Sequence, residues 1–257
     1  MLTPEELASV ALRVATEAAA LVGAGFRSRP VARKKGPVDL VTDYDLASEE
    51  LLRKRLSDAT PGCSVVAEEQ GASGAGELVW YCDPLDGTTN FVHGHPFWAV
   101  SVGAFDAQGP LAGAVVAPAL DIFWTGYRGG VARRNGETCC VSVTEGLADA
   151  LIATGFPLDR KSAPDNNFDA FFRVKRAAQA VRRCGSAAID LCLVADGTYD
   201  AYWERRLNPW DVAGGASVVL AAGGTISALD GGPCRYELGH ILASNGRLHS
   251  ELVPLIS

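Results

Sequence analysis

Leu7, Val10, Ala11, Val14, Ala18, Leu21 and Val22 recur at helical spacing behind Thr3-Pro4-Glu5-Glu6. Thr at the N-cap, Pro at N1 and Glu at N3 make that a strong helix start. The glycines at 23 and 25 predict its end, and the basic, Pro-flanked stretch 30–37 reads as a mobile loop holding Arg33, Lys34 and Lys35. An extended segment from Val38 to Thr42 leads into a second helix that runs to about Ser57, with Thr42 as cap and Asp43 and Asp45 in its first turn, where acids are favoured. Cys63 to Ala67 and Leu78 to Cys82 read as buried strands separated by a Gly/Ala/Ser turn at 70–77, the second strand stopping at Asp83-Pro84. Three antiparallel strands follow, at 98–105, 111–116 and 122–125, then short strands and turns to about 143.

The rhythm changes in the second half. A strand at 151–154, helices at 165–180 and 186–195, a strand at 199–203, a helix opened by Asn208-Pro209-Trp210-Asp211, and strands at 225–229 and 240–244 complete the pattern. Helices and strands in both halves with antiparallel meanders predict a layered α/β or α+β sandwich in one domain, 1–257, with halves of about 1–143 and 144–257.

Composition narrows the function classes. The formal charge of −7, from 23 basic and 30 acidic residues, argues against a nucleic-acid or anionic-membrane surface. No apolar run reaches spanning length. Glu5 and Glu6 stand where a secretory leader carries basic residues. The seven cysteines are odd in number and form no C-x-x-C, which reads as reduced thiols in a cytoplasmic protein. No Cys, Ser or His sits in a nucleophile motif.

Candidate chemistry centres on Asp83-Pro84-Leu85-Asp86-Gly87-Thr88-Thr89-Asn90-Phe91. A strand end that delivers two acids and a Gly-Thr-Thr turn suits hard cations and a phosphate together. Asp45, Glu68 and Asp211 also stand at predicted element ends. Five carboxylates gathered in one cleft would repel unless cations neutralised them, and Mg²⁺ with its preference for oxygen is the fitting ion. Leu85 can offer only its carbonyl. Thr88, with Asp45 or Glu68, could orient a water and take its proton.

The D-P-L-D-G-T-T-N-F block resembles the central motif of the inositol monophosphatase family. Trp210-Asp211-Val212-Ala213-Gly214 resembles its second motif, and Glu68-Glu69 and Asp39 to Asp45 stand in matching order over about residues 34–224. The resemblance implies an αβαβα sandwich of sugar-phosphatase type, usually dimeric, Mg²⁺-dependent with two to three ions, and often lithium-sensitive. It implies that Glu68, Asp83 and the Leu85 carbonyl hold a first metal. Asp83, Asp86 and Asp211 would hold a second, and Glu68 with waters a third. It further implies that Asp45 and Thr88 activate water, that Gly87 and Thr88 bind phosphate, and that Ala187 and Glu204 face the alcohol of a small phosphorylated polyol or sugar. The implied substrate is myo-inositol monophosphate. Relatives with the same motif cleave histidinol phosphate, fructose 1,6-bisphosphate or 3′-phosphoadenosine phosphate, and a non-catalytic regulatory relative is the other alternative. Arg205 and Arg206, beside Glu204, could favour a second anionic group on the substrate.

Overall fold

A computed structural model describes residues 2–36 and 39–257. Helix α1 (Pro4–Gly23) starts as the pattern predicts: Glu6 N–H donates to the Thr3 hydroxyl at 3.2 Å, and Thr3 N–H donates to the Glu6 carboxylate at 2.8 Å. Its buried stripe of Leu7, Ala11, Val14, Ala18 and Val22 faces the core. A hairpin of β1 (Ala32–Lys34) and β2 (Leu40–Thr42) leads to α2 (Asp43–Ala59). Then come β3 (Ser64–Ala67), β4 (Gly71–Ser73), β5 (Val79–Asp86), the single turn α3 (Thr88–Val92), β6 (Ala99–Asp106), β7 (Gly109–Ala117), β8 (Ile122–Tyr127), β9 (Ala132–Arg134) and β10 (Glu137–Cys139). The second half holds β11 (Leu151–Thr154), α4 (Phe168–Ala177), β12 (Ala180–Arg182), α5 (Ala187–Ala195), β13 (Ala201–Glu204), α6 (Pro209–Ala221), β14 (Thr225–Ser227), β15 (Ile241–Ser244) and α7 (His249–Ile256).

Among the described residues, the larger sheet has the order β10-β9-β8-β7-β6-β5-β3-β4 and the smaller the order β12-β11-β13-β15-β14. Helices α1 and α2 cover one face of the larger sheet, α5 and α6 lie between the sheets, and α4 and α7 close the far face of the smaller one. This is the layered αβαβα sandwich that the motif resemblance implies. Each layer boundary has its own apolar cluster. Trp80 and Trp98 belong to the outer one, Trp124 and Tyr202 to the middle, and Trp203 to the last.

Helix α6 packs directly on the backbone of β6 and β7, where Gly103 faces Ala213 and Gly113 faces Gly214. A Cβ added at Gly103 would lie 2.5 Å from the Ala213 carbonyl carbon, and one at Gly113 would lie 2.5 Å from the Gly214 carbonyl oxygen. Backbone cannot yield as a flexible side-chain tip does, so the contact sets the height of α6 and with it the position of Asp211. Gly103→Ala is expected to lower stability by about 1–3 kcal/mol through overpacking, read as a reduced urea midpoint at unchanged m-value.

Several elements differ from the sequence expectation. Strand β5 does not stop at Asp83-Pro84 but runs to Asp86, with a register shift against β6 between Asp83 and Asp86. Its other neighbour, β3, pairs only as far as Cys82, so the donor that Pro84 lacks is not needed by either ladder. The basic stretch is not wholly a loop, since Ala32–Lys34 pairs with Leu40–Thr42. Pro37 and Val38, the latter in the predicted extended segment, lie outside the described residues. The stretch 70–77 contains the edge strand β4, and the helix expected over 165–180 is shorter and is followed by β12. Helix α7, with Pro254 inside it, was masked in the sequence by that proline.

Candidate active site

One cavity of about 560 Å³ opens where both halves meet. Glu68, Asp83, Leu85, Asp86, Gly87, Thr88, Ala187, Glu204 and Asp211 all line it. Asp45 does not, but lies directly behind Thr88, whose hydroxyl donates to Asp45 Oδ1 at 2.9 Å. The sequence-predicted set is therefore brought to one place from both halves of the chain. Asn90 helps to join them, its side-chain amide donating to the carbonyls of Phe97 at 2.6 Å and Cys184 at 2.9 Å.

Three of the acids share a local design. Asp45 closes the capping box of α2, with Oδ2 accepting from Thr42 N–H at 2.8 Å, which leaves Oδ1 for Thr88. Asp211 closes the box of α6, its Oδ2 accepting from Asn208 N–H at 2.6 Å. Asp86 secures α5 from the other half of the chain, its Oδ2 accepting from the Ser186 hydroxyl and from Ala188 N–H, both at 2.7 Å. Each carboxylate thus has one oxygen locked onto a helix N-terminus. The N-termini of α5 and α6 open onto the cavity through Ser186, Ala187, Asn208 and Asp211, which favours anions there. Asp83 is held differently: Leu85 N–H donates to its Oδ1 at 3.0 Å inside the irregular end of β5.

Gly87 makes the turn possible. Its φ is +94°, and a Cβ would approach the Phe97 carbonyl oxygen at 3.0 Å and the Gly185 carbonyl oxygen at 3.2 Å. Only glycine tolerates both the left-handed backbone and this crowding.

Burial and mutual repulsion raise the site's acids. Burial pushes Glu68 up to about 7 against the pull of Lys35, and Asp86 up to about 6 against its hydrogen bonds from Ser186 and Ala188. Asp83 rises well above the carboxylate range through burial and then Glu68, Asp86 and Asp211. Asp211 rises likewise through burial, with Asp86 and Glu68 adding to it. Asp45 is raised by burial although Thr42 and Thr88 oppose it. Glu204 reaches about 7 through burial, with the Tyr202 hydroxyl donating to it.

The donor set fits a hard divalent cation: carboxylate oxygens, the Leu85 carbonyl and hydroxyls, with no soft ligand. A cation already helps to offset the charge, since Lys35 Nζ stands 2.6 Å from Glu68 and 2.7 Å from Glu69. Among the described residues, however, no group of three acids is drawn close enough to grip an ion as it stands.

A model of the inositol monophosphatase family matches residues 3–257. The chain belongs to the inositol monophosphatase family. Members of this family are metal-dependent phosphomonoesterases that take phosphorylated substrates. The protein is 40% identical over 248 residues to an inositol-1-monophosphatase of Synechocystis, a match covering 94% of this chain and 86% of that relative. It is 38% identical over 261 residues to the Nus factor SuhB of Pseudomonas aeruginosa, covering 98% and 96% of the two chains. The solved inositol monophosphatase from Anabaena superposes with a TM-score of 0.90 at 37% identity, over 98% of this chain and 95% of that one. No described helix is long and apolar enough to cross a membrane.

Arg205 and Arg206, the basic pair expected at the alcohol-binding edge, both line the cavity. Arg205 donates to the Ile256 carbonyl, and Arg206 pairs with Asp159 at 2.8 Å. Arg160, Arg183 and Asp190 are the charged lining groups that the sequence reading passed over. Asp190 is signalled by being the one charged residue in the apolar helix sequence Ala187–Ala195.

Proposed function

We propose that the protein is a Mg²⁺-dependent phosphomonoesterase that converts myo-inositol monophosphate to inositol and phosphate. The observation that carries this reading is the meeting of Glu68, Asp83, Asp86 and Asp211 at one cavity that the N-termini of α5 and α6 also line. In this reading Glu68, Asp83 and the Leu85 carbonyl hold one ion, Asp83, Asp86 and Asp211 hold a second, and Glu68 contributes to a third. Bound Mg²⁺ supplies Lewis acidity and lowers the pKa of an attacking water. The backbone N–H groups of Gly87 and Thr88 orient the phosphate. The Thr88 hydroxyl, aligned by its 2.9 Å bond to Asp45 Oδ1, takes the proton of the attacking water and passes its own to Asp45, whose burial raises its affinity for a proton. Ala187 and Glu204 face the departing alcohol.

The inositol assignment rests on relatives with that name at about this level of similarity. Phosphate release is the test, measured on myo-inositol 1-phosphate, histidinol phosphate, fructose 1,6-bisphosphate and 3′-phosphoadenosine 5′-phosphate. The inositol ester should give the highest kcat/KM. A preference of about tenfold or more, some 1.4 kcal/mol, for another ester overturns that choice of substrate. The relative named Nus factor SuhB favours a second reading, a regulatory protein that keeps the fold. Absence of phosphate release from every ester at millimolar Mg²⁺ would favour it over the first.

A further inference from the structure

Asp190 has no part in the catalytic scheme above, yet it is the least satisfied acid in the cavity. Its residue is 2% exposed and it lines the cavity wall. Its Oδ1 is buried without a hydrogen-bond partner among the described residues. Its neighbours are already committed. The Ser186 hydroxyl goes to Asp86, and Glu204 Oε2 accepts from the Tyr202 hydroxyl at 2.5 Å. Asp190 caps nothing: it lies inside α5, with its own N–H spent on the Ser186 carbonyl at 3.0 Å. A buried acceptor left unpaired is destabilising, and an alanine or leucine at this position of an otherwise apolar helix would avoid that cost.

We propose that Asp190 is a specificity-determining residue whose carboxyl hydrogen-bonds a hydroxyl of the phosphorylated polyol, beside the part of the alcohol faced by Glu204. The charges around it define the ligand class. Glu204 and Asp86 act on it as like charges and Arg183 as the opposing one. Two acids side by side repel a second phosphate and welcome a neutral group that can donate. Arg205 donates to the Ile256 carbonyl and Arg206 pairs with Asp159 and Asp165, while Arg160 also lines the cavity. A polyol with adjacent free hydroxyls fits the edge formed by Asp190 and Glu204. The proposal deepens the phosphomonoesterase reading and rests on it.

The test compares the best polyol monophosphate with p-nitrophenyl phosphate, which presents no hydroxyl. In Asp190→Leu the ratio of the two kcat/KM values should shift against the polyol ester by about tenfold or more. Asp190→Asn, which keeps an acceptor and gains a donor, should restore the ratio to within about threefold of wild type. The thermal melt of Asp190→Leu should equal or exceed wild type, since an unpaired buried group has been removed; if leucine is too bulky to fold, Asp190→Ala replaces it. A parallel fall on both esters, or no change in the ratio, overturns the role of Asp190 while leaving the phosphatase reading intact. A wild-type protein inactive on every ester removes that reading and this proposal with it.

Discussion

Asp83→Asn is expected to reduce phosphate release by about a thousandfold or more, on the order of 4 kcal/mol of transition-state stabilisation, while the metal-free protein becomes no less stable. Asp83 stands at the centre of the acidic set: its carboxyl feels Glu68, Asp86 and Asp211 together. On the proposed reading it is also the ligand shared by two ions. An amide of the same shape removes a charge that both would need. It keeps the Leu85 N–H contact to Oδ1, which is 3.0 Å in the native chain. It also relieves a buried carboxyl of three like neighbours. Activity and stability should therefore move in opposite directions, as expected where a site stores unfavourable charge for function. Activity would be read by phosphate release at saturating Mg²⁺ and stability by thermal melting in chelator. Turnover within a few-fold of wild type sinks the role assigned to Asp83. A large fall in melting temperature would instead show that Asp83 acts chiefly as a structural acceptor.

Chain economy explains how acids so far apart reach one cavity. Asp45, Asp86 and Asp211 each spend one oxygen on a helix start, so the fold cannot form those starts correctly without aiming the second oxygen. For Asp86 the helix belongs to the other half of the chain, and the Asp86–Ser186 and Asp86–Ala188 contacts tie the halves at the site itself. Stability of the scaffold and placement of the chemistry are in this respect the same interactions.

That coupling also explains what could be read without coordinates. Thr42 and Asn208 announce their helices through capping boxes, so the sequence located both Asp45 and Asp211 at helix starts, and the motif order supplied Glu68, Asp83 and Asp86. The layered architecture was legible for the same reason, because α1, α2 and α6 carry capping boxes that mark where they start. The true length of β5 was hidden, because Pro84 is a stop signal whose force depends on whether a neighbouring strand needs its donor. The engaged state of Arg205 and Arg206 was hidden because their partners, Ile256, Asp159 and Asp165, lie far along the chain or across a turn. The pairing of Lys35 with Glu68 and Glu69 spans more than thirty positions and has no local signature.

Mg²⁺ is expected to stabilise the protein far more at pH 8 than at pH 5. In the folded chain burial holds Glu68 up at about 7 and Asp86 at about 6, with Asp83 and Asp211 raised as well. Between the ordinary carboxylate range near pH 4 and about pH 7, the folded state therefore binds more protons than the unfolded one. Stability from these groups is fully present below pH 4 and is lost as pH rises through their folded values. With chelator present, this contribution should fall by on the order of 3 kcal/mol across that window. At pH 8 Glu68 and Asp86 are ionised, and divalent ions at about a hundred times Kd should add about 2.7 kcal/mol per site. At pH 5 the same ions must first displace protons, so the gain should be small. Melting in chelator and in Mg²⁺ across this range, with Asp83→Asn as the reference that cancels titration elsewhere, measures the difference directly. An Mg²⁺-induced shift of equal size at both pH values, or one undiminished in the variant, would mean that the ions bind somewhere other than these carboxylates.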